Sequence, residues 1–209
     1  VQVVNKIIEL AGEAFAKAED ETVFTADGSA TYHSLTGLLN DAGVSTHTLA
    51  DGSTGFGDLG YDDLIDMRSA VAPMARGVRS AYVFHHDFED VFDKMEDGNG
   101  TKIFGAGQAQ QRIERIRGRQ VEYTEAMPDL AASAADTAFG LFGDFSYVTV
   151  GFQRDLQATL LREATIQDVD DSTLIHLAAQ DAQALRFTAL WDVKFGLTGA
   201  FSKVATPAT

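Results

Sequence analysis

The residues with the most suggestive chemistry are Gly55, Gly57 and Gly60, in the stretch Thr54-Gly55-Phe56-Gly57-Asp58-Leu59-Gly60. Their spacing spells G-x-G-x-x-G, the pattern of a turn that wraps a dinucleotide pyrophosphate. An apolar run, Ala81 to Phe84, follows, with Asp87 just behind it. That chemistry needs more than glycines. A hydrophobic strand must run straight into the first glycine, and a helix must begin inside the motif so that its N-terminus faces the phosphates. Here Asp51-Gly52-Ser53-Thr54 precedes Gly55, and the next helical pattern starts at Tyr61, after the third glycine. Asp51 to Gly60 is therefore expected to be a mobile connection before the Tyr61 helix, and Asp87 a helix cap. A nucleotide-dependent oxidoreductase using the Gly55–Gly60 loop is the alternative function that this spelling keeps open.

Other reactive residues fall away on spacing. His85, His86 and Asp87 are adjacent, but neighbours on a strand point to opposite faces and do not readily share an ion. His33, His47 and His176 have no ligand spacing. The acid pairs Asp62-Asp63 and Asp170-Asp171 read as solvated residues in an acidic chain. No nucleophile-elbow pattern occurs. The absence of cysteine excludes disulfides, thiol catalysis and thiolate metal sites. No catalytic, cofactor-binding or metal-ligating residue is expected, and the chain reads as a non-enzyme.

One charged cluster stands out. Arg112, Arg115, Arg117 and Arg119 lie within eight residues of a chain whose net charge is −15, with 31 acids against 16 bases. Such a surface repels nucleic acid backbones. The arginines are read as a contact to an acidic neighbouring subunit, with a phosphate contact as the alternative.

The elements that must position these residues follow from periodicity. Val1 to Glu21 carries Val4, Ile7, Ile8, Leu10, Ala11, Ala14, Phe15 and Ala18 at helical spacing. The pattern opens without an N-cap, so a preceding segment is expected. Ala26 to Leu39 is turn-rich, and Asp41 to Gly60 a loop with at most a weak strand. Tyr61 to Val78 reads as an amphipathic helix with a kink or break at Pro73. Ser80 to His86 reads as a buried strand, Asp87 to Gly100 as a helix ending in the Gly98-Asn99-Gly100 turn, and Arg119 to Pro128 as a strand around Val121 and Tyr123. Gly143 to Ile166 alternates and is expected to form two strands with a turn near Arg154-Asp155. Two further strands close the chain, in Ala184 to Val193 and Gly199 to Ala205. Helices and strands without regular alternation argue for an α+β fold. The length of 209 residues allows one large domain or two small ones, and no apolar run is long enough to span a membrane.

The order of these segments resembles the major capsid proteins of tailed bacteriophages. The helix ending at Glu19-Asp20, the Asp27-Gly28 turn and Ser34 to Leu39 resemble the end of that family's long spine helix and the segment after it. Ser80 to Phe104 looks like its strand, helix and turn, with Asp97, Gly98, Asn99 and Gly100 at the turn. Gly118, Val121, Met127 and Pro128, then Phe142, Gly143, Asp144 and Phe145 with Arg154 and Arg162, are similar to its later motifs. The resemblance covers nearly the whole chain. It implies the Hong Kong 97 fold: a peripheral domain of residues 1–27 and 146–178, with spine helix and antiparallel sheet, and a mixed axial domain of residues 28–145 and 179–209. The family's N-terminal arm and extended loop have no counterpart in this chain.

The resemblance further implies a structural protein that self-assembles as hexamers and pentamers into an icosahedral shell around double-stranded DNA. It would sit in the virion after assembly in the host cytoplasm, with portal, scaffold or decoration proteins as partners. An encapsulin-like compartment is a variant of the same expectation. Some members form a lysine–asparagine crosslink whose asparagine and helper glutamate lie late in the chain. Here no asparagine follows Asn99 and no glutamate follows Glu163, which does not support that crosslink.

Overall fold

The computed structural model describes residues 2–53, 55–97, 99–104, 114–167 and 173–208. In chain order the elements are α1 (Gln2–Phe24), β1 (Ser45–Thr48), α2 (Tyr61–Ala70), β2 (Ser80–Phe84), α3 (Phe88–Lys94), β3 (Arg115–Ile116), β4 (Arg119–Tyr123), β5 (Ala138–Asp144), β6 (Val148–Leu161), β7 (Thr165–Gln167), β8 (Leu174–His176), β9 (Ala184–Phe195) and β10 (Phe201–Ala205). Short 3-10 turns join several of them. The mixture is α+β, as the lack of regular alternation predicts.

The chain divides into two compact units. The smaller holds residues 1–18 and 150–192, the larger residues 19–149 and 193–209. The division cuts α1 after Ala18, β6 before Val150 and β9 after Asp192.

In the smaller unit, β6 pairs with β9 and β7 pairs antiparallel with β8. β6 is one unbroken strand of 14 residues that passes straight through Arg154 and Asp155. The expected turn there is absent: Arg-Asp is a polar pair on an exposed strand, and neither residue carries the positive φ or fixed φ that forces a reversal. Phe15 of α1 meets Trp191 of β9 edge-on, with centroids 6.2 Å apart.

In the larger unit a six-stranded mixed sheet runs in the order β1-β10-β5-β2-β4-β3. β1 lies parallel to β10 and β2 parallel to β4, and the remaining neighbours are antiparallel. β5 is central and buried along almost its whole length. Gly140 and Gly143 make that possible. A Cβ at Gly140 would lie 2.1 Å from the Phe84 ring, and one at Gly143 would lie 2.3 Å from the Phe201 ring. The core is aromatic: Phe56 stacks on Phe139 at 4.4 Å, Phe139 on Phe88 at 5.5 Å, and Phe84 lies 5.1 Å from Phe88. Tyr82 packs on Phe142 at 4.4 Å and donates its hydroxyl to the Leu64 carbonyl at 2.9 Å.

Helix ends explain where the helices stop. α1 ends at Phe24, where the Gly37, Leu38 and Leu39 N–H groups donate to Ala26, Val23 and Phe24 carbonyls. The returning strand of chain thus satisfies acceptors that a helix end leaves open. α2 stops at Ala70 and does not run to Val78. Arg76 folds back to donate to the Val71 and Ser69 carbonyls, each at 2.6 Å, and Pro73 begins a new 3-10 turn.

Candidate functional site

The glycine motif begins no phosphate cradle. Thr54 lies outside the described residues. Gly55 precedes a 3-10 turn, Phe56–Asp58, and Gly60 precedes α2. None of Gly55, Gly57 and Gly60 has positive φ, and a Cβ on Gly57 would touch nothing within 4 Å. Its N–H groups are turned inward: Gly55 donates to Asp58 at 3.0 Å, Gly60 to Asp63 at 2.7 Å, and Phe56 to the Ser133 hydroxyl at 3.0 Å. The expected mobile connection is instead anchored, because Phe56 and Leu59 are buried in the core. The apolar side chains between the glycines, not the glycines, give the stretch its structural role.

The histidines are separate. His47 Nε2 lies 2.9 Å from Asp63, His85 Nδ1 3.3 Å from Asp87, His86 Nδ1 3.6 Å from Glu89, and His176 Nδ1 2.8 Å from the Thr165 hydroxyl. Among the described residues no group of three potential ligands gathers. Asp87 precedes α3 with helical backbone angles and makes no cap bond there. Its carboxylate accepts from the Leu130 N–H at 3.3 Å, so it ties a distant loop and does not cap the helix as expected. Asp62 is exposed, and Asp170 and Asp171 lie outside the described residues.

Burial alters the titration of a phenol and an ammonium of the larger unit. Burial pushes the Tyr82 phenol up to about 12, opposed by the charges of Arg68, Arg117 and Arg119. Burial lowers the Lys203 ammonium, opposed by Asp41. Lys203 donates to the Leu39 and Asp41 carbonyls at 2.7 and 3.1 Å, at the edge of an open cavity of about 470 Å³ that Asp136, Thr137 and Asn40 also line. No nucleophile and base pair is assembled there.

The arginines form the distinctive surface. Arg112 lies outside the described residues. Arg115 and Arg119 sit on β3 and β4, and Arg117-Gly118 is the two-residue turn between them, with φ of 50° and 76°. Positive φ at both central positions is the reversal that matches strand twist, and glycine suits the second. Ile116 points into the core while Arg115 and Arg117 are exposed. The sheet adds two arginines that sequence spacing does not group with these. Arg79 immediately precedes β2, whose Ala81 sits opposite Gln120 of β4, and the charge of Arg68 in α2 reaches the same Tyr82. Among the described residues none of these five arginines forms an ion pair. The Arg119 Nε is buried without a hydrogen-bond partner. A parallel pairing of β2 with β4, across a long connection, is what brings them together.

The sequence model of the phage capsid family matches residues 1–204. No curated protein sequence matches the chain. The fold is similar to a solved structure described as the capsid of an empty GTA particle computed with C5 symmetry, with TM-score 0.68 and 20% identity, over 99% of this chain and 67% of that one. It is similar to the structure from Gordonia phage Cozz with TM-score 0.73 and 15% identity, over 100% and 64%. It is similar to that from Mycobacterium phage Adephagia with TM-score 0.64 and 20% identity, over 100% and 66%. The chain therefore spans about two thirds of the length of these solved chains.

Proposed function

Because the chain belongs to the phage capsid family, we propose that it is a structural major capsid subunit that self-assembles into a closed icosahedral shell around double-stranded DNA. The observation that carries this reading is a family match over nearly the whole chain together with a fold shared with solved capsid structures. In this reading the larger unit is the axial domain and the smaller unit belongs to the peripheral domain. Pentamers and hexamers are the building blocks, and the arginines of the β3–β4 hairpin are a subunit contact. The mechanism is non-enzymatic: weak contacts repeated by symmetry, each too small to hold two copies alone.

The acidic balance of −15 fits a shell that encloses DNA without gripping it. Portal, scaffold and decoration proteins are the remaining partners of the proposal, the host cytoplasm the place of assembly and the virion its destination. The oxidoreductase alternative has no support at Gly55–Gly60, where the N–H groups of Gly55 and Gly60 are consumed by Asp58 and Asp63. The test is sedimentation of the expressed gene product together with titration by NADH and by FAD. Rapidly sedimenting, homogeneous particles with no saturable nucleotide binding are expected. Saturable binding that disappears in Gly57→Val would replace this reading with the enzyme.

A further inference from the structure

The two edges of the six-stranded sheet carry opposite charge. The β3–β4 edge holds Arg115, Arg117 and Arg119 against Glu114 and Glu122, with Arg79 at the start of the neighbouring strand β2, a net positive balance. The opposite edge is β1, set within residues 41–63, which contain Asp41, Asp51, Asp58, Asp62 and Asp63 and no lysine or arginine. Asp51 and Asp62 are exposed, and the carboxylates of Asp41, Asp58 and Asp63 are held in place by N–H groups of Gly43, Gly55 and Gly60.

Five inter-strand gaps of about 4.8 Å separate the outer strands by roughly 24 Å. That is about three times the Debye length of ~8 Å at physiological ionic strength, so the two edges do not neutralise each other within one copy. Beside the basic edge the loop into β2 exposes Met74 (74%) and Val78 (88%), the two most exposed large apolar side chains of the described residues. An apolar centre with an unpaired cationic rim has the composition of a protein contact. A contact between two different edges is heterologous, and such contacts close into rings where the rotation between successive copies closes.

We propose that the Arg79–Arg117–Arg119 edge of one copy docks against the Asp-rich β1 edge, residues 41–63, of the next copy. The inference rests on the capsid reading and names the surface and partner that the reading leaves open. The neighbour's carboxylates supply the counter-charges that the arginines lack among the described residues of their own chain. Met74 and Val78 are covered in the same contact.

The experiment is a charge swap in the expressed gene product. Arg79→Glu with Arg117→Glu is expected to lower the yield of assembled particles at least tenfold, as is Asp51→Lys with Asp62→Lys. These four positions are exposed, and far-UV circular dichroism together with the melting temperature of unassembled protein shows that each variant is folded. Joining all four changes in one chain restores complementarity at every contact, whereas mixing the two charge-reversed proteins restores it only where the two alternate around a ring. The four-fold variant is expected to return to within about threefold of wild-type yield. A folded four-fold variant that assembles no better than either pair, or a pair that assembles normally, would overturn the edge pairing while wild-type particles leave the capsid reading intact. A wild type that forms no particles would overturn the capsid reading and this inference with it.

Discussion

Replacing Phe56 with alanine should cost far more than replacing Gly57 beside it. Phe56 is fully buried and stacks on Phe139 at 4.4 Å, and Phe139 in turn stacks on Phe88. Truncating a buried phenylalanine removes transfer free energy, leaves a cavity and breaks a ring stack, together about 4 kcal/mol. For a unit of this size each kcal/mol lowers the melting temperature by about 2–4 °C, so Phe56→Ala should lower it by about 8–16 °C. At Gly57 an added Cβ meets nothing within 4 Å and φ is not positive. Gly57→Ala should stay within about 0.5 kcal/mol of wild type, a shift under about 2 °C. Both are read by thermal unfolding of unassembled protein, followed by near-UV circular dichroism, which senses the aromatic cluster. A dinucleotide turn would give the reverse order, with the glycine intolerant and the aromatic tolerant. A Phe56→Ala shift below about 3 °C, or a Gly57→Ala shift as large as that of Phe56→Ala, refutes the claim that this stretch is a core anchor.

Other consequences are equally specific. Gly37→Ala places a Cβ 2.6 Å from the Phe24 carbonyl carbon and 2.9 Å from the Ala26 nitrogen. Backbone yields little, so destabilisation by at least ~2 kcal/mol is expected in denaturant titration. Asp144→Ala removes the acceptor of the Ser146 N–H at the end of β5 and should cost about 1 kcal/mol by the same measurement. For Tyr82 the sign is set by a folded-state pKa raised above the unfolded value near 10. Its contribution is fully present below pH 10 and is lost as pH rises to about 12, an effect of roughly 2–3 kcal/mol. Tyr82→Phe should flatten that part of the stability–pH curve, and an unchanged alkaline slope would contradict the assignment.

The legible parts of the fold are those with a local cause. The apolar spacing of Val4 to Ala18 marks α1, and the β-branched and aromatic run before His85 marks β2. β5 was not legible, because Gly140 and Gly143 weaken a strand signal and their role is to admit Phe84 and Phe201 from other elements. The unbroken β6 was hidden for the opposite reason: polar residues on an exposed strand look like a turn. The stop of α2 at Ala70 depends on Arg76 folding back, which spacing does not encode. At the candidate surface the hairpin arginines are adjacent in sequence and were legible as a cluster. Arg79 and Arg68 join them only through the parallel pairing of β2 and β4 and the packing of Tyr82 under α2. The Arg117-Gly118 pair between Ile116 and Val121 was the signal that could have revealed the hairpin.

Electron cryomicroscopy of the expressed gene product decides whether this chain builds a closed shell. Uniform closed particles with fivefold vertices are expected, in which the larger unit of each copy meets the next through the β3–β4 edge. Soluble monomers or small open oligomers under conditions where the protein is folded would contradict it.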